Sequence, residues 1–287
     1  MKKSSIVAIA AIFMIAMYSC GTGRSQPASA PSTSKQDSVK LASLLLRIGR
    51  VSIYSNAWQL YLDSALLLNP KSAFLWQQKA MPLFKQKKYE IGMPYLDSAV
   101  KYDRGTHFLE YRAFMKCIFQ KSYRAAIIDF NLATSKMGNS YVMDHSYEFY
   151  KGLCYLQLNK FDSARLHLSQ CIEDERLSKG EDWIHHLHWF YLGIVDFEQD
   201  KFDNALLNFD KALSEYPEFS DAQFYKSLCF YHLGQKKEAI EVLRQSYENF
   251  KEGFSINEDN AFYELYPYQV NTYRIESTLR SWDSQTK

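Results

Sequence analysis

The sequence predicts an all-α protein in which about six helical hairpins stack into a superhelical solenoid with a C-terminal helical cap. Helix breakers are scarce, since the 287 residues include 11 Gly and 7 Pro while 47% of the chain is hydrophobic. That composition favours helices over a turn-rich β fold. Small and large apolar residues also recur about every 34 residues between residues 38 and 250, which is typical of a repeat array. The recurrence stops in residues 251–287, where we predict a loop and a capping helix.

Residues 1–19 have the layout of an export signal. Lys2 and Lys3 precede an apolar run from Ile6 to Met17. A basic start followed by a short apolar stretch is typical of a secretory signal. The run is shorter than the roughly 20 residues that a membrane-spanning helix needs, so a membrane helix is the less favoured alternative.

The signal ends at residues 17–20, which read Met-Tyr-Ser-Cys and are followed by Gly21. This segment resembles the lipobox of lipoproteins from Gram-negative bacteria. The resemblance implies that Cys20 becomes the first residue and carries acyl chains such as palmitate, which together anchor a protein firmly. The alternative is an ordinary signal peptide with a chance cysteine.

Residues 20–37 predict the lipidated cysteine and a flexible tether, because they are rich in Ser, Thr, Pro and Ala. Residues 21–25 contain no acidic side chain. In lipoproteins of this kind an acidic stretch there directs the protein to the cell surface. The resemblance therefore implies an anchor in the outer membrane that faces the periplasm.

Residues 38–250 predict the hairpins through a repeated residue pattern. The clearest copy begins at His186 and has small residues where two antiparallel helices would approach, at Gly193, Ala205 and Ala212. Large apolar residues would fill the space between hairpins and stabilise the fold by ~1.5–3 kcal/mol each when buried. Further copies begin at Val39, Ala73, His107, His145 and Ser220. Two copies are longer than the others and predict longer helices or loops at residues 135–144 and 173–182.

This pattern resembles the tetratricopeptide repeat (TPR). The resemblance covers residues 39–250 and implies a right-handed solenoid whose first helices line a concave groove. The residues that it places in the groove are Tyr111, Met115, Phe149, Leu153, Phe190, Ile194, Phe197, Phe224 and Tyr231. An exposed apolar and aromatic surface of this kind is typical of a binding site for a partner. The alternative is a groove that the protein itself covers, for example with its C-terminal residues.

The end of the chain predicts two short helices, Ala261–Tyr266 and Tyr268–Trp282, with Pro267 between them. The second is amphipathic enough to cap the array.

Four cysteines lie at interior positions of the repeats, and we expect buried thiols. They are Cys117, Cys154, Cys171 and Cys229. A single disulfide between Cys154 and Cys171 is the alternative, since exported proteins form disulfides.

His185 and His188 lie three residues apart and share a helix face, so they could bind a metal with Glu181 or Asp182. A solvated helix start explains them equally well, and we predict no metal or cofactor.

Charge and motifs narrow the function. Without Lys2 and Lys3 the 34 basic residues fall to 32, which equals the 32 acidic residues, and a neutral chain does not favour nucleic acid. No phosphate-binding loop or nucleophile motif is present, so we do not expect an enzyme. The sequence predicts a membrane-anchored scaffold that binds a protein or peptide segment of the cell envelope. The alternatives are a glycan-binding lipoprotein for nutrient uptake and a structural spacer.

Overall fold

The computed structural model describes residues 34–285, and these residues are almost entirely helical. The helices are α1 (Lys35–Ile48), α2 (Asn56–Leu68), α3 (Ala73–Lys85), α4 (Tyr89–Tyr102), α5 (His107–Phe114), α6 (Tyr123–Met137), α7 (Tyr147–Gln157), α8 (Phe161–Lys179), α9 (His186–Phe197), α10 (Phe202–Glu215), α11 (Ser220–His232), α12 (Lys236–Lys251) and α13 (Thr272–Gln285). A π-helical turn, Met115–Phe119, continues α5. The predicted all-α solenoid is confirmed, whereas the predicted signal and Cys20 lie outside the described residues.

Consecutive helices pair into the predicted hairpins, from α1 with α2 to α11 with α12. Four predicted repeats begin at the first residue of a helix, at Ala73, His107, His186 and Ser220. The first helix begins at Lys35, within the predicted tether, because the Ser34 side chain accepts a hydrogen bond from the backbone N–H of Asp37 and caps it.

Each of the five hairpins from α3 to α12 turns through one residue with positive φ. These residues are Lys87, Lys121, Asn159, Asp200 and Gly234, with φ between 55° and 80°. In four of them the next amide donates back to the carbonyl five residues earlier, as in Lys201 N–H to Asp196 O. This bond satisfies a free carbonyl at the helix end and holds the left-handed residue in place.

Close helix approach accounts for two of the predicted small positions. A β-carbon at Gly193 would lie 2.6 Å from the ring of Phe209, and one at Gly152 would lie 2.8 Å from the side chain of Leu168. The bulky partner occupies the space that any larger residue would need, so the two helices of these hairpins can pack only around glycine.

The two long repeats are explained by different structures. The first contains a two-residue antiparallel ribbon, β1 (Tyr141–Val142) with β2 (His145–Ser146). The second lengthens α8 to Lys179 and adds a 3₁₀ turn, Glu181–Trp183. A hydrogen bond of 3.2 Å from Asn139 Nδ2 to Asp174 Oδ2 connects the two insertions.

The predicted helix Ala261–Tyr266 is wrong, because these residues form turns. Their polar backbone groups bond partly to the groove rather than to one another. The capping helix exists as α13, which begins at Thr272 and packs on α12. None of the helices within residues 34–285 is both long and apolar enough to cross a membrane.

Candidate functional site

Residues 255–270, which we call the C-terminal segment, occupy the concave groove. The segment leaves the end of α12, extends to the turn between α3 and α4, and returns to α11. On the way out Glu258 contacts His145, at the far end Tyr263 contacts Lys85, and on the return Val270 contacts Asp221. The groove therefore already holds a polypeptide along most of its length.

The two ends of the segment meet at one buried carboxylate. Asp221 Oδ2 accepts hydrogen bonds from Ser255 Oγ at 2.7 Å and from the backbone N–H of Ile256 at 2.9 Å. Its Oδ1 accepts one from the backbone N–H of Val270 at 2.6 Å. Burial raises the pKa of Asp221 to about 6, although the bonds to Val270, Ser255 and Ile256 oppose this shift. The carboxylate thus closes the segment into a loop.

Three tyrosines from successive repeats contact residues 266, 267 and 268, in the part of the segment that returns to α11. Tyr266 lies beside Tyr150, and the Tyr191 hydroxyl donates to the carbonyl oxygen of Pro267 at 2.9 Å. The ring of Tyr268 packs edge-on against Tyr225, with centroids 5.9 Å apart. All three groove tyrosines are buried. Tyr150, Tyr191 and Tyr225 lie in a row along the segment, and we call them the tyrosine row.

The far end of the segment lies among lysines. Lys85 Nζ is 3.0 Å from the Tyr263 hydroxyl and lies over that ring. Lys87 Nζ is 3.4 Å from Glu264 Oε2, and Lys121 Nζ donates to the backbone carbonyl of Leu265 at 2.5 Å. We call Lys85, Lys87 and Lys121 the basic end of the groove. It matches the negative charge of this part of the segment.

A buried acid also holds the part of the segment that leads away from α12. Glu258 Oε1 lies 3.1 Å from Nε2 of His145, and both side chains are buried. Burial favours a neutral carboxyl, but His145 outweighs it and lowers the pKa of Glu258. This ion pair therefore connects the part of the segment that leads away from α12 to the antiparallel ribbon in the fourth repeat.

Most of the residues that the resemblance places in the groove are inaccessible in this structure, which agrees with the alternative of a groove that the protein itself covers. Six of the nine are at most 2% exposed: Met115, Phe149, Leu153, Phe190, Ile194 and Phe224. Tyr111, Phe197 and Tyr231 are partly buried. Phe190 shows the reason, because its ring packs against Phe209 and Phe219, inside the hairpin core.

The residues that contact the segment lie one position further along. A Phe-Tyr pair recurs at residues 149–150, 190–191 and 224–225. The structure directs the phenylalanines into the core and the tyrosines to the segment. This recurrence was a sequence signal for the tyrosine row, whereas nothing in the sequence distinguishes Asp221 from an ordinary acid near a helix start.

His185 and His188 make structural contacts within the fold. His185 Nδ1 accepts a hydrogen bond from the backbone N–H of Leu187 and caps α9, while His188 Nδ1 lies 3.0 Å from Glu175 Oε2. Burial acts to raise the pKa of Glu175, but hydrogen bonds from His188 and from the His185 amide outweigh it and lower that pKa to about 2. Glu181 instead pairs with Arg176. Across residues 34–285 no three His, Cys, Asp or Glu side chains are grouped to hold a metal ion.

The predicted buried thiols are confirmed, and the four cysteines of the described residues are free. The alternative pair is not bonded. Cys154 Sγ lies 3.4 Å from Cys117 Sγ, whereas Cys171 Sγ contacts Ser146 Oγ at 3.5 Å.

A comparison of sequences supports the repeat assignment over part of the chain. The family described as tetratricopeptide repeat matches residues 192–253. These residues contain the second half of α9, the helices α10, α11 and α12, and the turn after them. No curated protein sequence matches the chain significantly.

Solved structures share the architecture. A tetratricopeptide repeat protein from Parabacteroides merdae is 13% identical, with 87% of this chain and 100% of that chain covered and a TM-score of 0.59. PilW, described as a widely conserved type IV pilus biogenesis factor, is 16% identical, with 76% and 95% covered and a TM-score of 0.58. MamA from Desulfovibrio magneticus RS-1 is 14% identical, with 63% and 96% covered and a TM-score of 0.52. At these identities the likeness establishes the TPR-like fold and says nothing about partners.

Proposed function

We propose that this protein is a lipid-anchored scaffold of the cell envelope that holds a segment of another protein in its concave groove. The arrangement of residues 1–20 supports export and lipidation of Cys20. In the proposal the anchor lies in the outer membrane and the array faces the periplasm. The scaffold performs no chemistry, and its role is to bring a partner to the membrane.

The observation that carries the proposal is that the groove receives a non-helical polypeptide. Several contacts are made with the main chain of the segment: Asp221 accepts from Ile256 and Val270, and Tyr191 donates to Pro267. Contacts to backbone groups recognise a polypeptide whatever its side chains, which is how grooves commonly bind extended peptides. The structure shows these groups bonded to a polypeptide, which favours this function over glycan binding.

The distance between the anchor and the array fits a scaffold close to the membrane. The first described helix begins at Lys35, so 14 residues separate it from Cys20. A chain of that length reaches at most ~50 Å when fully extended. Partners would therefore be held within a short distance of the bilayer.

Photo-crosslinking in intact cells tests the proposal. A photoreactive residue replaces Tyr111, which is partly buried in the groove, and in a matched control it replaces Ile128, which is 67% exposed on α6. We expect a discrete adduct with one envelope protein from Tyr111 and none from Ile128. In parallel, Cys20→Ser should move the protein from the membrane fraction to the soluble fraction.

A structural spacer is the second candidate, and the burial of the groove residues favours it. A spacer predicts no adduct from either position while the protein stays on the membrane. An adduct from Ile128 alone would place binding on the outer surface and contradict the groove proposal.

A further inference from the structure

The C-terminal segment has a distinctive chemistry. Its 16 residues include Glu258, Asp259 and Glu264 but no Lys or Arg, and four of them are aromatic. It is therefore an acidic and aromatic peptide with a formal charge of −3.

The part of the segment that lies at the basic end of the groove is held differently from the two ends that Asp221 binds. Within the segment Ile256, Tyr266, Pro267, Val270 and the Glu258 side chain are buried, and residues 259–265 are partly or fully exposed. The far end is held by partly buried polar contacts with the basic end of the groove and by partial packing of Ala261 and Tyr263. Such contacts stabilise less than full burial, and the Lys87–Glu264 pair contributes little because the Lys87 side chain is 65% exposed. Residues 259–265 should therefore detach while the Asp221 contacts remain closed.

Detachment uncovers a surface with a defined preference. Lys85, Lys87 and Lys121 would lose the partners Tyr263, Glu264 and the Leu265 carbonyl, and Tyr89 would lose its 2.5 Å bond to Glu264. A second peptide with an aromatic residue followed by a carboxylate, as in Tyr263-Glu264, would restore these contacts. The exposed basic end thus selects acidic aromatic peptides and disfavours basic ones.

We propose that the C-terminal segment is an internal substitute for the partner, and that the partner is an acidic peptide with aromatic residues that displaces residues 259–265. This inference rests on the proposed function and names the partner's chemistry. The segment occupies the groove at the effective concentration of a tethered ligand, which is in the millimolar range for a short flexible connection. It therefore excludes weak or unsuitable partners and yields only to a peptide that makes the same contacts.

The test uses the full chain and a labelled synthetic peptide of residues 257–267. The released variant is Tyr263→Ser with Glu264→Ser, which removes the side-chain contacts with Lys85, Lys87 and Tyr89 but no fully buried side chain. The matched control is Phe262→Ser, because that side chain is 89% exposed. Fluorescence anisotropy should show at least tenfold tighter binding to the released variant than to the unaltered protein or the control. The same peptide with Glu264→Gln should bind the released variant more weakly.

Equal affinity for all three proteins, or binding to none of them, would overturn the proposal. Circular dichroism first checks that the released variant is folded. If it is not, hydrogen exchange on the unaltered chain decides: excess peptide should speed exchange in residues 259–265, and unchanged exchange would reject displacement. A failed peptide test with an intact Tyr111 adduct would reject only this inference, whereas loss of that adduct would reject the proposed function.

Discussion

Replacing Asp221 with alanine should release both ends of the C-terminal segment. The substitution removes the acceptor of three hydrogen bonds, from Ser255 Oγ and from the backbone N–H groups of Ile256 and Val270. Both backbone groups belong to buried residues, so no water replaces the carboxylate while the segment stays docked. The segment must then either leave two buried donors unpaired or detach.

The magnitude follows from the two backbone donors that lose their acceptor. Leaving a buried donor unpaired costs about 1–3 kcal/mol, so the amides of Ile256 and Val270 together cost roughly 2–6 kcal/mol while the segment stays docked. Overall stability falls by less if the segment detaches and its amides become hydrated.

Hydrogen exchange measured by mass spectrometry checks this expectation. Amides of residues 255–270 should lose at least tenfold in protection, while the amides of α9 and α10 should change little. Asp210→Ala is the matched control, because it removes an aspartate from a more exposed ion pair with Lys226. If protection in residues 255–270 were the same in both variants, Asp221 would not hold the segment in the groove.

Three further expectations concern the array itself. Gly193→Ala should lower the free energy of unfolding by about 1–3 kcal/mol in urea titrations, because the new methyl would lie 2.6 Å from a buried ring; an unchanged midpoint would contradict the close approach. Burial lowers the pKa of His185 to about 4 and of His186 to about 3, below the value of 6.5 expected in the unfolded chain. Their contribution to stability is therefore complete above pH 6.5 and is lost as the pH falls towards 4. The raised pKa of Asp221 acts in the opposite direction, but it is one group against two. The urea midpoint should therefore drop between pH 7.5 and 5. Burial raises the pKa of Cys171 to about 12, so a thiol reagent at pH 8 should modify it only after unfolding, and rapid labelling of the native protein would refute this.

The sequence predicted the hairpins because their pattern is local. The small residue at Gly193 and the helix starts at His186 and Ser220 reflect contacts between neighbouring helices. Such contacts repeat with the chain, so one copy helps to identify the next. The turns were less visible, because Lys121 and Asp200 adopt positive φ where glycine would have been the usual signal.

The groove could be predicted only in part, because its occupant comes from far away in the chain. Lys85 and Tyr263 are 178 residues apart, and Tyr191 and Pro267 are 76 apart. No periodicity relates such pairs, and the repeat pattern does not extend to residues 255–270. The family template placed Phe190 in the groove, whereas local packing gives that place to the tyrosine after it.

The C-terminal segment also changes how such an array must fold. A solenoid with neighbour contacts alone can grow one repeat at a time from either end. Here the second repeat receives contacts from residues close to the last helix, and closing a loop of that length is slow. We expect the hairpins to form first and the groove to fill last, so refolding should show a late phase in which tyrosine environments change while helix content stays constant. A nascent chain would expose an unfilled groove until residues 255–270 emerge, which gives a chaperone a defined interval in which to bind.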